Sequence, residues 1–291
     1  MNSNNEIPLV TVYIPTYNRC DLLKRAVESV LCQSYENIEL IVVDDCSNDE
    51  TEEYLLSLSI KYGNFTYYIN EENSGACVSR NKAINVAKGI FITGLDDDDY
   101  FYNNHILTCV KAWENKKNNI IALYPNQFDE TTDGVKRRHP KPSECSASDL
   151  LTSNWIGNQI FTLTKSLKSI DGFDERFPAW QDYECWYRLL KSSGKKASCT
   201  DKYTYVLDAG HPHERISNGV EKGRVAWGLF VNKHCLDFKD AEMVKLMLVG
   251  YGAKDVNLKS LVRKILLVPS YKNIRNSLII FYIFMARFRQ K

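Results

Sequence analysis

Apolar positions along residues 9–95 switch repeatedly between strand-like runs and helical spacing. Residues 9–14 (LVTVYI) form a β-branched run stopped by Pro15, and residues 38–43 (IELIVV) form a second. Both read as buried strands. Between them Leu22, Leu23, Ala26, Val27, Val30 and Leu31 recur at helical spacing, which predicts a helix capped by Asp21. Ser47, Asn48 and Asp49 offer caps for a helix reaching about Tyr62, and residues 65–69 give a short third strand. A helix opening near Ser74 and ending about Ala87 leads into a fourth strand at 90–95. Four strands joined by helices predict an α/β fold: a mostly parallel sheet with right-handed crossovers, covered on both faces.

Beyond residue 120 the alternation weakens. Residues 120–124 and 202–207 read as strands, and 179–190 as a helix with Trp186, Leu189 and Leu190 on its apolar side. Residues 130–148 read as a polar, proline-containing loop of the kind that often serves as a lid. There is no internal repeat and no low-complexity segment.

In open sheets of this kind ligands bind beyond the carboxyl ends of the strands. Strand one ends in Pro15, Thr16, Tyr17 and Asn18, strand two in Asp44 and Asp45. Strand three leads to Asn73, Ser74 and Gly75, and strand four ends in Asp96, Asp97, Asp98 and Asp99. Each string alone is ordinary turn chemistry. Their common location is the stronger signal. Four successive carboxylates repel one another unless a cation or water offsets them, and oxygen ligands on a strand-end turn suit Mg²⁺ or Mn²⁺, completed by water and phosphate. Glycine-rich phosphate loops are missing: neither G-x-G-x-x-G nor G-x-x-x-x-G-K-[ST] occurs. A nucleotide would then be held by a metal bridging its diphosphate, with Asp44 or Asp45 on a base or ribose, unless these acids cap the next helix instead.

Composition narrows the classes. With 291 residues and 44% hydrophobic content the chain can build a core, which excludes disordered and collagen-like readings. A net charge of +1 does not suggest a nucleic-acid binder. The charge is uneven, however: eight Lys or Arg and no acid follow Asp255, leaving 29 basic against 36 acidic residues up to and including it. The tail alternates these cations with apolar clusters around Pro269, a composition that suits amphipathic helices on an anionic membrane surface, the alternative being an ordinary C-terminal helix packed on the domain. Its longest apolar run, 278–286, is about half of what a spanning helix needs. Nine scattered cysteines show no C-x-x-C spacing, and residues 1–6 are polar rather than signal-like, so reduced thiols in a cytosol are expected.

The strings PTYN (15–18), VDDCSND (43–49), NSGACVSRN (73–81) and LDDDD (95–99) stand in the order and spacing of family 2 glycosyltransferases, which the chain resembles closely over about residues 7–110. The resemblance implies the GT-A fold, with a nucleotide-sugar half at 1–120 and an acceptor-binding and catalytic half at 121–225, to which the tail's composition adds a helical, basic, membrane-associating extension at 226–291. It also implies inverting transfer of a sugar from a nucleotide donor, usually a UDP-sugar, with Mn²⁺ or Mg²⁺ at a D-x-D element. Carried over residue by residue, Pro15, Thr16, Tyr17 and Asn18 open the nucleotide pocket, Asp44 contacts uracil, Asp45, Asn73 and Gly75 belong to the same nucleotide site, and Arg80 lies near the phosphates. The D-x-D is Asp96-Asp97-Asp98, with Asp96 toward ribose and Asp98 on the metal; a one-residue shift makes Asp97 and Asp99 alternates. Residues 180–188 (WQDYECWYR) resemble the family's acid–base segment, with Gln181 in place of the commoner Glu and Asp182 as the base. Glu184, two residues on, points elsewhere if the segment is helical. Asp182 is otherwise a helix N-cap. His211 or His213 completes the metal shell, and Arg215 faces the diphosphate. Trp155 and the Gly157-Asn158 turn shape the acceptor pocket or pack in the core.

The expected activity is thus transfer of a hexose or N-acetylhexosamine to an undecaprenyl-diphosphate-linked glycan in surface-polysaccharide assembly, on the inner face of the cytoplasmic membrane. A sugar-nucleotide pyrophosphorylase would need a Gly-, Arg- and Lys-containing loop where PTYN stands. A degenerate, non-catalytic binding subunit is opposed by retention of Asp98 and Asp182.

Overall fold

A computed structural model describes residues 7–211 and 219–252, so His213, Arg215 and the basic tail lie outside the described residues. The strands are β1 (Val10–Thr16), β2 (Ile38–Asp44), β3 (Phe65–Ile69), β4 (Phe91–Gly94), β5 (Tyr100–Phe101), β6 (Ile120–Thr131), β7 (Gly134–Arg137), β8 (Glu144–Cys145), β9 (Phe161–Leu163) and β10 (Lys196–Asp208). The helices are α1 (Cys20–Leu31), α2 (Thr51–Lys61), α3 (Ala76–Val86), α4 (His105–Glu114), α5 (Ala147–Leu150), α6 (Thr164–Lys168), α7 (Gln181–Ser193), α8 (Val220–His234) and α9 (Phe238–Lys245), followed by a 3-10 turn at Leu246–Tyr251.

One sheet carries the strands in the order β3-β2-β1-β4-β9-β6-β10-β5, with β7 on β6 and β8 on β10. The β1–β2, β1–β4, β2–β3 and β6–β10 pairs are parallel. Alternation of side chains makes two cores. Val10, Val12 and Ile14 of β1 pack with Leu40 and Val42 and with Leu23, Ala26, Val27 and Val30 of α1. Tyr13, Ile41 and Val43 pack on the other face with Cys77, Ala83 and Ile84 of α3 and with α7. Each fully buried aliphatic side chain there contributes about 1.5–3 kcal/mol.

Several local expectations are corrected. Pro15 does not stop β1: the strand continues to Thr16 opposite Asp44, because β4 has already left its other side after Tyr13–Gly94 and no partner needs the missing N–H. Asp21 does not cap α1; Asp49, from the next crossover, accepts the Cys20 N–H at 2.9 Å and also binds Thr51 at the start of α2. The 130–148 segment is not all loop, since residues 131–137 turn at Gly134, φ 101°, into the antiparallel β6–β7 hairpin. β9 was not expected, and it inserts antiparallel between β4 and β6. All nine cysteines are free thiols. No helix among the described residues is long and apolar enough to cross a membrane.

Candidate active site

The carboxyl ends of β1, β2, β3 and β4 bring the expected strings together. Asn18 takes a left-handed φ of 51° and ties two of them, its N–H donating to Ser47 Oγ at 2.8 Å and its Oδ1 accepting the Asn48 N–H at 2.7 Å. Asp44 accepts from the N–H and hydroxyl of Ser47. Asp45 accepts from Asn70 and from the N–H groups of Ser74 and Gly75, so it holds the entry to α3. Gly75 stands at φ 91°, a backbone that L side chains rarely adopt. Tyr17 is exposed at the rim, as is Asn73.

The acidic quartet alternates. Side chains of Asp96 and Asp98 are 21% and 15% exposed, against 8% for Asp97. Asp99, at 2%, is turned inward: its Oδ2 accepts the Tyr205 hydroxyl at 2.6 Å and its Oδ1 the Asp208 N–H at 3.0 Å. Burial pushes Asp99 well up, with the charges of Asp98 and Asp96 adding to the shift. Asp97 is also raised by burial, to about 7; Arg19 opposes that shift and Asp98 reinforces it. Thr16 donates to Asp97 at 2.9 Å. Arg19, which belongs to none of the sequence motifs, reaches both Asp97 (3.1 Å) and Asp98 (3.2 Å) and so acts as an internal countercharge. Its only sequence signal is its place directly after PTYN.

Asp98 Oδ2 lies 3.1 Å from His211 Nε2, an oxygen and an imidazole nitrogen converging on one point. That donor set fits Mn²⁺ or Mg²⁺, Mn²⁺ taking imidazole more readily. No group of three or more ligating side chains occurs among the described residues, so such a cation would draw its remaining ligands from phosphate and water.

Arg80 of α3 spans toward the second half. It donates to Asp96 at 2.9 Å and to Gln181 at 3.0 Å, and stacks 5.2 Å over the Phe173 ring. Burial opposes its charge, but the charge and hydrogen bond of Asp96, together with Cys77 and Tyr13, outweigh burial and hold the guanidinium ionised. Gln181 and Asp182 open α7 behind Trp180, a buried aromatic in left-handed backbone, φ 62°. Such strain in a bulky residue costs about 1–2 kcal/mol and persists where surroundings over-determine it. Here Tyr183, Phe230 and Tyr251 pack edge-on against the indole. Asp182 is therefore in the first turn and not the N-cap. Burial raises its pKa, opposed by the Tyr183 N–H, Arg80 and Asn154, and Asp96 adds to the rise. Glu184 does point elsewhere, into a buried cluster with Arg188, Lys233 and His234.

Residues 154–158 bridge the two halves. Asn154 donates to Asp182 at 3.0 Å. Asn158 Nδ2 lies 2.9 Å from both Asp96 Oδ2 and Asp99 Oδ2, and Gln159 donates to Asp96 at 2.9 Å. Trp155 hydrogen-bonds within its own turn, to Thr152 at 3.0 Å. Asn154 and Gln159 carried no sequence signal, because neither sits in a periodic segment or a local motif.

A mostly parallel sheet with an acidic turn beyond one strand and a buried carboxylate facing it from a second half defines the GT-A class. In that class lies a TarS structure from S. aureus in complex with UDP-GlcNAc, which superposes with a TM-score of 0.64 at 19% identity over 94% of this chain and 79% of that one. Residues 11–175 match the model of glycosyl transferase family 2, and the chain belongs to that family. Its relatives include WcaA of Escherichia coli (strain K12), named as a glycosyl transferase of colanic acid biosynthesis, 34% identical over 221 residues, 74% of this chain and 77% of that protein. The E. coli UDP-Glc:alpha-D-GlcNAc-diphosphoundecaprenol beta-1,3-glucosyltransferase WfgD is 31% identical over 189 residues, 65% of this chain and 72% of WfgD.

Proposed function

We propose that this glycosyltransferase moves a hexose or N-acetylhexosamine from a UDP-sugar, with inversion, to a hydroxyl of a lipid-diphosphate-linked glycan in surface-polysaccharide biosynthesis. The observation that carries the reading is the placement of two chemistries on one strand-end surface. The Asp98–His211 pair lies on one side, and Asp182 lies on the other, joined through Asp96, Arg80 and Gln181. Asp98 and His211 would hold the cation, which when bound offsets charge developing on the leaving diphosphate. Arg80 supplies a fixed positive charge to the same region. Asp182, buried and raised above an ordinary aspartate, accepts the proton of the acceptor hydroxyl as it attacks the anomeric carbon. Attack from the face opposite the diphosphate inverts that centre, through an oxocarbenium-like state as in glycoside hydrolysis.

The UDP donor is supported by the nucleotide in WfgD's name and by the family resemblance that gives Asp44 the uracil contact. The lipid-linked acceptor is supported by the diphosphoundecaprenol in that same name and by the acid-free basic tail, which suits the inner face of the cytoplasmic membrane. The test is UDP release from a panel of UDP-sugars, with Mn²⁺ and with EDTA, by the wild type and by Asp98→Asn and Asp182→Asn. Metal-dependent turnover of one donor, lost in both variants, is expected. Failure to bind UDP or any other nucleoside diphosphate in the presence of metal would overturn the reading.

A further inference from the structure

We propose that Asn154 is a positioning residue for the transfer step: its carboxamide holds Asp182 in the ionised, acceptor-facing orientation. The inference rests on the reading of Asp182 as the base.

The carboxamide is used at both ends. Nδ2 donates to Asp182 Oδ2 at 3.0 Å, while Oδ1 accepts the Gly157 N–H at 3.0 Å. Flipping the amide would set NH₂ against an N–H and C=O against a carboxylate, so its partners fix its orientation. The turn that carries it is itself pinned. Lys141 donates to the Ile156 carbonyl at 2.7 Å and the Trp186 indole to the Gly157 carbonyl at 2.9 Å. Gly157 stands at φ 89°, a backbone that L side chains rarely adopt, so the turn favours glycine at 157.

A carboxylate offers about four lone-pair sites. Asn154 takes one and the Tyr183 N–H another, which leaves acceptor capacity for a substrate hydroxyl. An amide N–H favours the ionised over the protonated form. Asp182 needs that help, because burial works against its charge. The other groups that act on it are Arg80 and Cys77 from α3, Asp96 beyond β4, Lys141 from the segment after β7, Cys185 from α7 and Tyr251 from the 3-10 turn. Burial raises Cys77, Cys185 and Tyr251 and keeps them neutral, and it lowers Lys141 to about 7, so the charged neighbours are Arg80 and Asp96, joined by Lys141 below that pH. Asn154 is the one neutral side chain that donates directly to the carboxylate among the described residues.

The experiment compares wild type with Asn154→Asp, Asn154→Ser and Asp182→Asn, using full-length protein, saturating Mn²⁺ and UDP-sugar, and acceptor. Asn154→Asp keeps an acceptor for the Gly157 N–H and the shape of the side chain, but sets a carboxylate against Asp182. The expected result is a kcat lower by about 10–100-fold with donor KM and UDP affinity within about twofold. The acid limb of the kcat–pH profile should move up by about one pH unit in Asn154→Asp and by less in Asn154→Ser. A uniform loss of kcat with the acid limb in place would overturn the proposal. Lost UDP affinity in both Asn154 variants would do the same, by assigning Asn154 to loop structure. Full activity in Asp182→Asn would instead overturn the base reading itself.

Discussion

His211 Nε2 and Asp98 Oδ2 meet at 3.1 Å although 113 residues separate them. β10 ends at Asp208 and β4 at Gly94, so the two side chains come from opposite halves of one sheet. If both are ligands, His211→Ala should weaken Mn²⁺ binding by tenfold or more, about 1.4 kcal/mol, in the absence of nucleotide. Electron paramagnetic resonance titration reads this directly. Equal Mn²⁺ affinity in the variant would remove His211 from the shell.

Arg19 offsets Asp97 and Asp98 within the protein itself. Without it two carboxylates are left partly buried and facing each other. Arg19→Met should therefore lower Tm in EDTA by an amount equivalent to about 1–2 kcal/mol, or about 2–8 °C for a chain of this size. Mn²⁺ should restore more of the loss in the variant than it adds to wild type. Scanning calorimetry with and without the ion checks this, and an identical Mn²⁺ increment in both proteins would show that Arg19 and the cation do not share a role.

Glu184 predicts an acid-sensitive stability. Burial pushes its carboxyl up, but hydrogen bonds from His234, Arg188 and Lys233, with the charge of Arg188, win and bring it down to about 2 from an ordinary 4.5. A carboxyl depressed on folding stabilises above its unfolded pKa, and that contribution fades as pH falls from 4.5 through about 2. It is on the order of 3 kcal/mol. Urea unfolding of Glu184→Gln across this range should give a flatter pH dependence than wild type. Parallel profiles would contradict the shift.

Gly94, the last residue of β4, has no room for a methyl group. A Cβ there would lie 2.1 Å from Gln159 Oε1 and 2.5 Å from the Tyr13 ring. Gln159 accepts from the Tyr13 hydroxyl and donates to Asp96, so the displacement reaches the acidic turn. Gly94→Ala should cost about 1–3 kcal/mol in denaturant unfolding and weaken UDP binding. Unchanged UDP affinity would separate Gln159 from the placement of Asp96.

The strands and helices up to residue 95 are legible because each is written in local period: the pattern places the third strand at 65–69, where β3 lies, and β2 within one residue. β9 is three residues long and held only by its neighbours, so no period marks it. The Asp133-Gly134 pair was a hairpin signal inside a segment read as loop. At the site, residues in strand-end strings were visible in the sequence. Arg19, Asn154 and Gln159 act through tertiary hydrogen bonds and were not. The α1 cap shows the same limit: Asp21 had the right spacing, but Asp49 had the right place in space.

The separation of Asp98 from His211 also sets an order of events during synthesis. At translation rates of about 5–20 residues per second, roughly 6–23 s pass between the emergence of the acidic turn and that of its histidine. Thr16 and Arg19 are already present in that interval, whereas Asn158, Tyr205 and Asp208, the partners of Asp99, are still to come. The nascent first half thus carries its own cation for the acidic turn while the polypeptide that will enclose it is being made.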